Sequence, residues 1–127
     1  KYRGGLSNVK QMLCTGGMLV SQMTNKHKLG AWGLVGGGEG KTGATLFKKA
    51  GSDHWETAVE AYGKVSPSKY SNIPMRPGDR VRVLAPGGGG YGLASERART
   101  DILSDVKEGY VSNADAIRQY SLDESDI

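Results

Sequence analysis

The stretch Trp32 to Ala44, WGLVGGGEGKTGA, holds the residue types of a phosphate-binding loop: glycines, then the Gly40-Lys41-Thr42 ending that cradles nucleotide phosphates in many enzymes. That chemistry needs a glycine five residues before the Gly of the Gly-Lys pair, so that backbone N–H groups wrap the phosphates. Counting back from Gly40 reaches Val35, and the glycines begin only at Gly36. A loop of fixed length does not absorb that slip. A phosphate loop also runs into a helix whose N-terminal dipole helps hold the anion. Here Gly43-Ala44-Thr45-Leu46-Phe47 reads as a turn into a strand. Gly36, Gly40, Lys41 and Thr42 therefore form a phosphate-loop lookalike, and a glycine-rich turn between strands is the expected structure.

A second glycine cluster is denser. Gly87, Gly88, Gly89 and Gly90 are followed by Tyr91 and Gly92, and Gly87-x-Gly89-x-x-Gly92 satisfies a dinucleotide fingerprint. Any run of four glycines generates such matches. A dinucleotide fold also needs a further parallel strand ending in an acidic residue, whereas two helical patterns and the last residues follow here. Ordering four glycines carries a large entropic cost. The loop is therefore expected to lie close to a ligand or to another chain's backbone, near a partner or an active site.

The other reactive residue types lie apart. His27 sits between Lys26 and Lys28, which disfavours a bound cation, and His54 follows Asp53; no metal site is expected. Ser7, Ser21, Ser66 and Ser71 lack a nucleophile-elbow setting. Cys14 reads as an ordinary half-buried thiol, and Asp123, Glu124 and Asp126 as a solvated, frayed tail. No catalytic constellation emerges.

The elements that must carry these loops follow from composition and period. With 127 residues the chain is one domain's worth, and its 20 glycines force turns and favour a β-rich body. The net charge of +4 comes from scattered lysines and arginines without aromatic interleaving, a solvated basic surface rather than a nucleic-acid footprint. A single cysteine excludes an internal disulfide and fits a reducing compartment. No secretory leader or membrane-length apolar run is visible, so a cytoplasmic protein is expected. The chain opens at Lys1 rather than at a methionine, which suggests a missing leading segment or a piece of something longer.

Strands are expected within Leu6 to Leu13, Gly17 to Met23 and Ala44 to Phe47. His54 to Tyr62 alternates Trp55, Thr57, Val59 and Ala61 with wetter positions, a strand period with a short helix as the alternative. Pro77-Gly78-Asp79 is a turn; Val81 and Val83 then face one way and Arg80 and Arg82 the other. From Glu96 to Glu108, Ala98, Ile102, Leu103 and Val106 recur at helical spacing, closed by Gly109. Ser112 caps a second helix with the stripe Ala116, Ile117 and Tyr120. The expected fold is α+β: a mainly antiparallel β body with glycine-rich turns over residues 1–92, and a tail of two short C-terminal helices over 93–127, within one domain.

Four segments together, KYRGGL, WGLVGGGEG, RPGDRVRVLAPGGGGYG and DVKEGYVSNADAIRQY, resemble the C-terminal part of hydantoinase B-type proteins. That family includes N-methylhydantoinase and 5-oxoprolinase B-type regions and large subunits of acetone and acetophenone carboxylases. The resemblance implies an ATP-dependent machine in which A-type subunits phosphorylate the substrate and B-type subunits complete hydrolysis or carboxylation. ATP, Mg and bicarbonate are implied for the complex, and none is expected on this chain alone. The resemblance implies that the metal-binding histidines and carboxylates of the B-type acetone carboxylase subunit belong to an earlier portion with no matching segment here, so no catalytic residue carries over. The family tail usually has Asp-Pro near its first helix, where this chain has Glu96-Arg97-Ala98-Arg99. The resemblance implies a non-catalytic or accessory subunit, or a C-terminal segment, of an ATP-dependent carboxylase joining a ketone to bicarbonate, as in an acetophenone carboxylase-like complex with A-type and B-type partners. A hydantoinase or 5-oxoprolinase-type amide-ring hydrolase is the alternative. A stand-alone phosphate-binding module using residues 36–43 is a third reading, from another functional class.

Overall fold

The structure, a computed structural model, describes residues 1–123 and 125. It is α+β, with antiparallel sheets and short helices, as the residue patterns predict. The strands are β1 (Val9–Leu13), β2 (Met18–Met23), β3 (Ala44–Lys48), β4 (Lys69–Met75) and β5 (Arg80–Leu84). The helices are α1 (Ala58–Tyr62), α2 (Arg99–Lys107) and α3 (Asn113–Tyr120). No helix among the described residues is long and apolar enough to cross a membrane. Contacts gather the chain into two units. One unit holds residues 7–30 and 41–87, and the other 1–6, 31–40 and 88–127.

The first is a β unit. A three-stranded antiparallel sheet runs β1-β5-β3, and a two-stranded antiparallel sheet pairs β2 with β4. Its core is Cys14, Phe47, Ala58, Ile73, Met75 and Val81. The alternation in β5 holds: Val81 is buried and Val83 packs on the core, while Arg82 stacks over the Trp55 ring at 4.0 Å. Phe47 is the pivot, meeting Tyr62 and Tyr70 edge-on with ring centroids 5.3 and 5.8 Å away. The Pro77-Gly78-Asp79 turn is held by the buried Asp79 carboxylate, which accepts from the Arg76 N–H at 2.8 Å and the Ala50 N–H at 2.9 Å.

Two elements differ from the sequence pattern. Only the start of the alternating stretch at His54 pairs as a strand, through a bridge of Glu56 to Phe47. Residues 58–62 then turn helical because Thr57 and Glu60 form a capping box. The Thr57 hydroxyl accepts from the Glu60 N–H, and the Glu60 carboxylate accepts from the Thr57 N–H at 2.7 Å. Gly63, left-handed at φ 62°, ends the turn. Strand β4 carries no clear alternation and contains Pro74; it survives because both members of a two-stranded sheet are edges, where a missing N–H costs nothing.

In the second unit α2 begins at Arg99 rather than Glu96, after a single 3₁₀ turn over Ala94–Glu96. It ends as predicted on Gly109 (φ 74°), with the Tyr110 N–H bonded to the Asp105 carbonyl and the Gly109 N–H to that of Val106. Ser112 caps α3 by accepting from the Asp115 N–H. Ile102, Val111, Ala116 and Leu122 form a small core between the helices. Of the acidic tail, Glu124, Asp126 and Ile127 lie outside the described residues.

The capping box gives a first test. Thr57→Ala should lower unfolding stability by about 1 kcal/mol in urea titrations. Hydrogen bonds from the Thr57 backbone and hydroxyl hold the Glu60 carboxyl below its ordinary range. A depressed carboxyl contributes above its unfolded pKa and loses that contribution as pH falls through the folded one. The destabilisation by Glu60→Ala should therefore be largest near neutrality and shrink in acid.

Candidate functional site

Residues 1–6, 31–40 and 88–92 are stretches of backbone laid side by side. The Tyr2 N–H donates to the Tyr91 carbonyl at 2.8 Å and Tyr91 returns the bond at 3.0 Å, and the Gly88 N–H reaches the Gly5 carbonyl at 2.9 Å. Leu34 donates to Gly90, Gly92 to Leu34 and Gly90 to Gly38, each at 2.9 Å. Residues 88–92 are thus the central member, bonded to both of the others.

Glycine makes this approach possible by lacking a side chain, not by its dihedral freedom. A Cβ on Gly4 would run into the Gly88 carbonyl, one on Gly37 into that of Gly90, and one on Gly89 into that of Trp32. None of these three has a left-handed φ. A neighbouring glycine is different: a Cβ on Gly38 would meet open space. The 31–40 stretch folds over a tight turn at Val35 and Gly36, with φ of 51° and 82°, closed by the Gly37 N–H on the Leu34 carbonyl at 2.9 Å. Val35 is β-branched in the left-handed region, a locally strained position.

A charged clasp fastens the same unit. Asp105, on the buried face of α2, accepts from Arg3 Nε at 2.9 Å and Arg3 Nη2 at 3.2 Å, and from Arg97 Nη2 at 2.7 Å. The hydrogen bond to Asp105 raises the Arg3 pKa above its ordinary value against the opposing pull of burial. Arg3 also lies 5.5 Å from the Tyr110 ring centre, and Arg97 6.0 Å from that of Tyr120. Beside the clasp is a cavity of about 210 Å³ lined by Tyr2, Arg3, Gly37, Gly90, Arg97 and Tyr120. Among the described residues, Arg97 Nε is the buried side-chain polar atom without a hydrogen-bond partner, though the guanidinium charge is met by Asp105.

The structure brings Gly88, Gly89, Gly90, Tyr91 and Gly92 together with Gly36 and Gly40 in this unit, while Gly87, Lys41 and Thr42 belong to the β unit. There the Gly87 N–H donates to the Lys41 carbonyl at 2.9 Å, and Lys41 and Thr42 are exposed. Within the phosphate-loop lookalike two amides are already bonded to the chain, Gly37 to Leu34 and Gly40 to Ala31. Strand β3, not a helix, follows it. Among the described residues no group of three or more His, Cys, Asp or Glu is placed to hold a metal ion. His27 Nε2 lies 3.0 Å from Thr24 Oγ1, and burial pushes the ring's pKa down.

Sequence reasoning missed the Arg3–Asp105–Arg97 clasp, whose Arg3 and Asp105 are far apart along the chain. One signal was available. Asp105 falls three residues after Ile102, on the inward face of the α2 stripe, where a carboxylate needs a partner.

In this unit three backbone stretches lie side by side, brought close by glycine, ahead of a helical tail. The chain belongs to the hydantoinase B/oxoprolinase family, whose pattern matches residues 1–94 and so takes in all three glycine-bearing stretches. It is 26% identical over 122 residues to the B subunit of a putative D-/L-hydantoinase of Pseudomonas sp., covering 96% of this chain and 19% of that protein. It is 31% identical over 122 residues to an uncharacterized protein of Methanocaldococcus jannaschii, covering 96% of this chain and 20% of that one. With 5-oxoprolinase of Saccharomyces cerevisiae it shares 28% over 92 residues, 72% of this chain and 6% of that protein. No solved structure matches it. The chain thus spans about a fifth of the length of the first two relatives.

Two predictions test the site. Gly37→Ala should destabilise by about 1–3 kcal/mol or more through backbone overlap, whereas Gly38→Ala should cost under about 1 kcal/mol; denaturant unfolding of both variants reads the contrast. Asp105→Asn should cost about 3 kcal/mol, because it leaves two guanidiniums, one of them buried, without their shared counter-charge. Loss of hydrogen-exchange protection across α2 would register it.

Proposed function

We propose that this chain is an accessory, structural part of an ATP-dependent complex of the hydantoinase/oxoprolinase type, working beside A-type subunits and the larger remainder of a B-type protein in a reducing, cytoplasmic compartment. The observation that carries the reading is how the family's glycine segments are used. Their amides and carbonyls bond to one another, and the buried Asp105 carboxylate is committed to Arg3 and Arg97. Groups spent in this way hold a scaffold; the loop over residues 87–92 shapes the surface that partner subunits meet. ATP, Mg and bicarbonate, where the reaction uses them, bind on those partners.

The names borne by two of the relatives, a hydantoinase B subunit and a 5-oxoprolinase, favour a cyclic amide as the substrate of the assembly. Carboxylation of a ketone with bicarbonate, as in an acetophenone carboxylase-like complex, is the second reading, and it rests on the resemblance of the PGDRVRVLAPGGGGYG string to those large subunits.

Native mass of the protein purified from its source without dissociation, followed by ATPase assays, tests both. The expected result is co-purification with A-type and B-type chains and ATP hydrolysis stimulated by hydantoin or 5-oxoproline; stimulation only by ketone plus bicarbonate would move the assignment to carboxylase. Lys41→Ala should leave that activity unchanged. A chain that runs alone, and that loses phosphate binding on this substitution, would instead be a stand-alone phosphate-binding module.

A further inference from the structure

The core of the β unit is closed at one end and open at the other. Directly opposed residues of an antiparallel sheet share a face. One such row runs from Phe47 on β3 through Val81 on β5 to Met12 on β1. Exposure climbs along it, from 1% to 5% to 52%. The second sheet repeats the gradient, with Met75 of β4 at 3% and its partner Met18 of β2 at 49%. Between them lies a groove of about 510 Å³ whose lining includes Met12, Met18, Val20, Met75, Val81 and Val83.

The lining has the composition of a core rather than of a surface. Scattered exposed apolar residues are ordinary, but a contiguous apolar slot that continues a buried row marks a contact site. Three of the chain's four methionines line it, and the fourth, Met23, is exposed on β2. Methionine is unbranched and polarisable, so a slot walled by it adapts to the shape of what enters.

We propose that this groove seats the part of a B-type protein that the chain does not represent: an apolar segment of that remainder inserts aliphatic or aromatic side chains between β1 and β2 and completes the core. The inference rests on the accessory reading above. It commits to this occupant because the matched residues make up only 19% and 20% of the first two relatives, so that four-fifths of such a protein lies outside the family piece described here. A second copy is a poor occupant. A two-fold contact sets the same patch on both subunits against itself, and slot against slot would leave both unfilled.

The test co-expresses the full chain with the B-type polypeptide of its source and compares Met12→Glu, Met18→Glu and the control Val65→Glu, at a fully exposed position outside the groove. Because Met12 and Met18 are half-exposed, their variants should keep the thermal unfolding of the parent. Each should weaken the complex by about tenfold or more, with the control within about twofold. Peroxide oxidation read by peptide mass spectrometry supplies a measurement without mutation: Met12 and Met18 should oxidise readily in the free chain and slowly in the complex. Groove variants that bind like the parent, equal oxidation in both states, protection already present in the free chain, or a homodimer broken by Met18→Glu would each overturn the groove assignment. A complex indifferent to the substitutions overturns the groove alone. Failure of the unmodified chain to join any B-type polypeptide overturns the accessory reading with it.

Discussion

The closest physical constraint in this protein is the distance between backbones. Where the 88–92 stretch lies against residues 1–6 and 31–40, carbonyl groups stand where a Cβ would otherwise be. Such an interface has almost no side chains to bury. It relies on N–H to carbonyl bonds and close van der Waals contact rather than on the hydrophobic effect, and it sacrifices the backbone entropy that glycine gives up on ordering. The same unit accordingly contains other fasteners: the Asp105 clasp and the small core of Ile102, Val111, Ala116 and Leu122. Asp105 is set in place by a helix whose end is fixed by Gly109, so a turn glycine and a charge network serve the glycine stretches indirectly.

The β unit solves the opposite problem. It has side chains enough, centred on Phe47, and polar pairing inside: Gln22 donates to Thr45 Oγ1 at 2.7 Å and accepts from the Tyr70 hydroxyl. Burial pushes the Tyr70 pKa to about 12, so that hydroxyl stays a donor throughout the ordinary pH range. At the β1 and β2 end of its core, however, Met12 and Met18 stand half-exposed. A sheet of three strands and a pair of two give a small domain little area with which to close every edge.

How much of this was legible in the sequence depended on the range of the interaction. Strands β2, β3 and β5, the C-terminal end of α2 and the start of α3 are legible because short apolar runs, the Val81–Val83 alternation, Gly109 and Ser112 act within a few residues. Helix α1 alternates like a strand in sequence, and what makes it helical is the Thr57–Glu60 capping pair rather than its period. Strand β4 escaped because Lys69–Met75 mixes polar residues with a proline, and its pairing with β2 supplies what propensity does not. The clasp escaped for a different reason. Residues 3, 97 and 105 carry no mutual spacing rule, and only the inward position of Asp105 hinted at it.

The two glycine clusters resembled nucleotide motifs for a physical reason. A phosphate loop uses glycine so that a ligand's oxygens can come close to backbone amides; here glycine lets a carbonyl oxygen of the chain itself come equally close. Both demand the absence of a Cβ and a row of amides looking for acceptors, so a pattern of glycines alone does not distinguish them. What distinguishes them is the next element and the fate of the amides. A helix after the loop with amides left free points to an anion; a strand after it, with Gly37 and Gly40 already bonded to Leu34 and Ala31, points to the chain itself. The four glycines at Gly87 to Gly90 were expected to lie close to a ligand or to another chain's backbone. The backbone that Gly88, Gly89 and Gly90 meet comes from other stretches of the same chain.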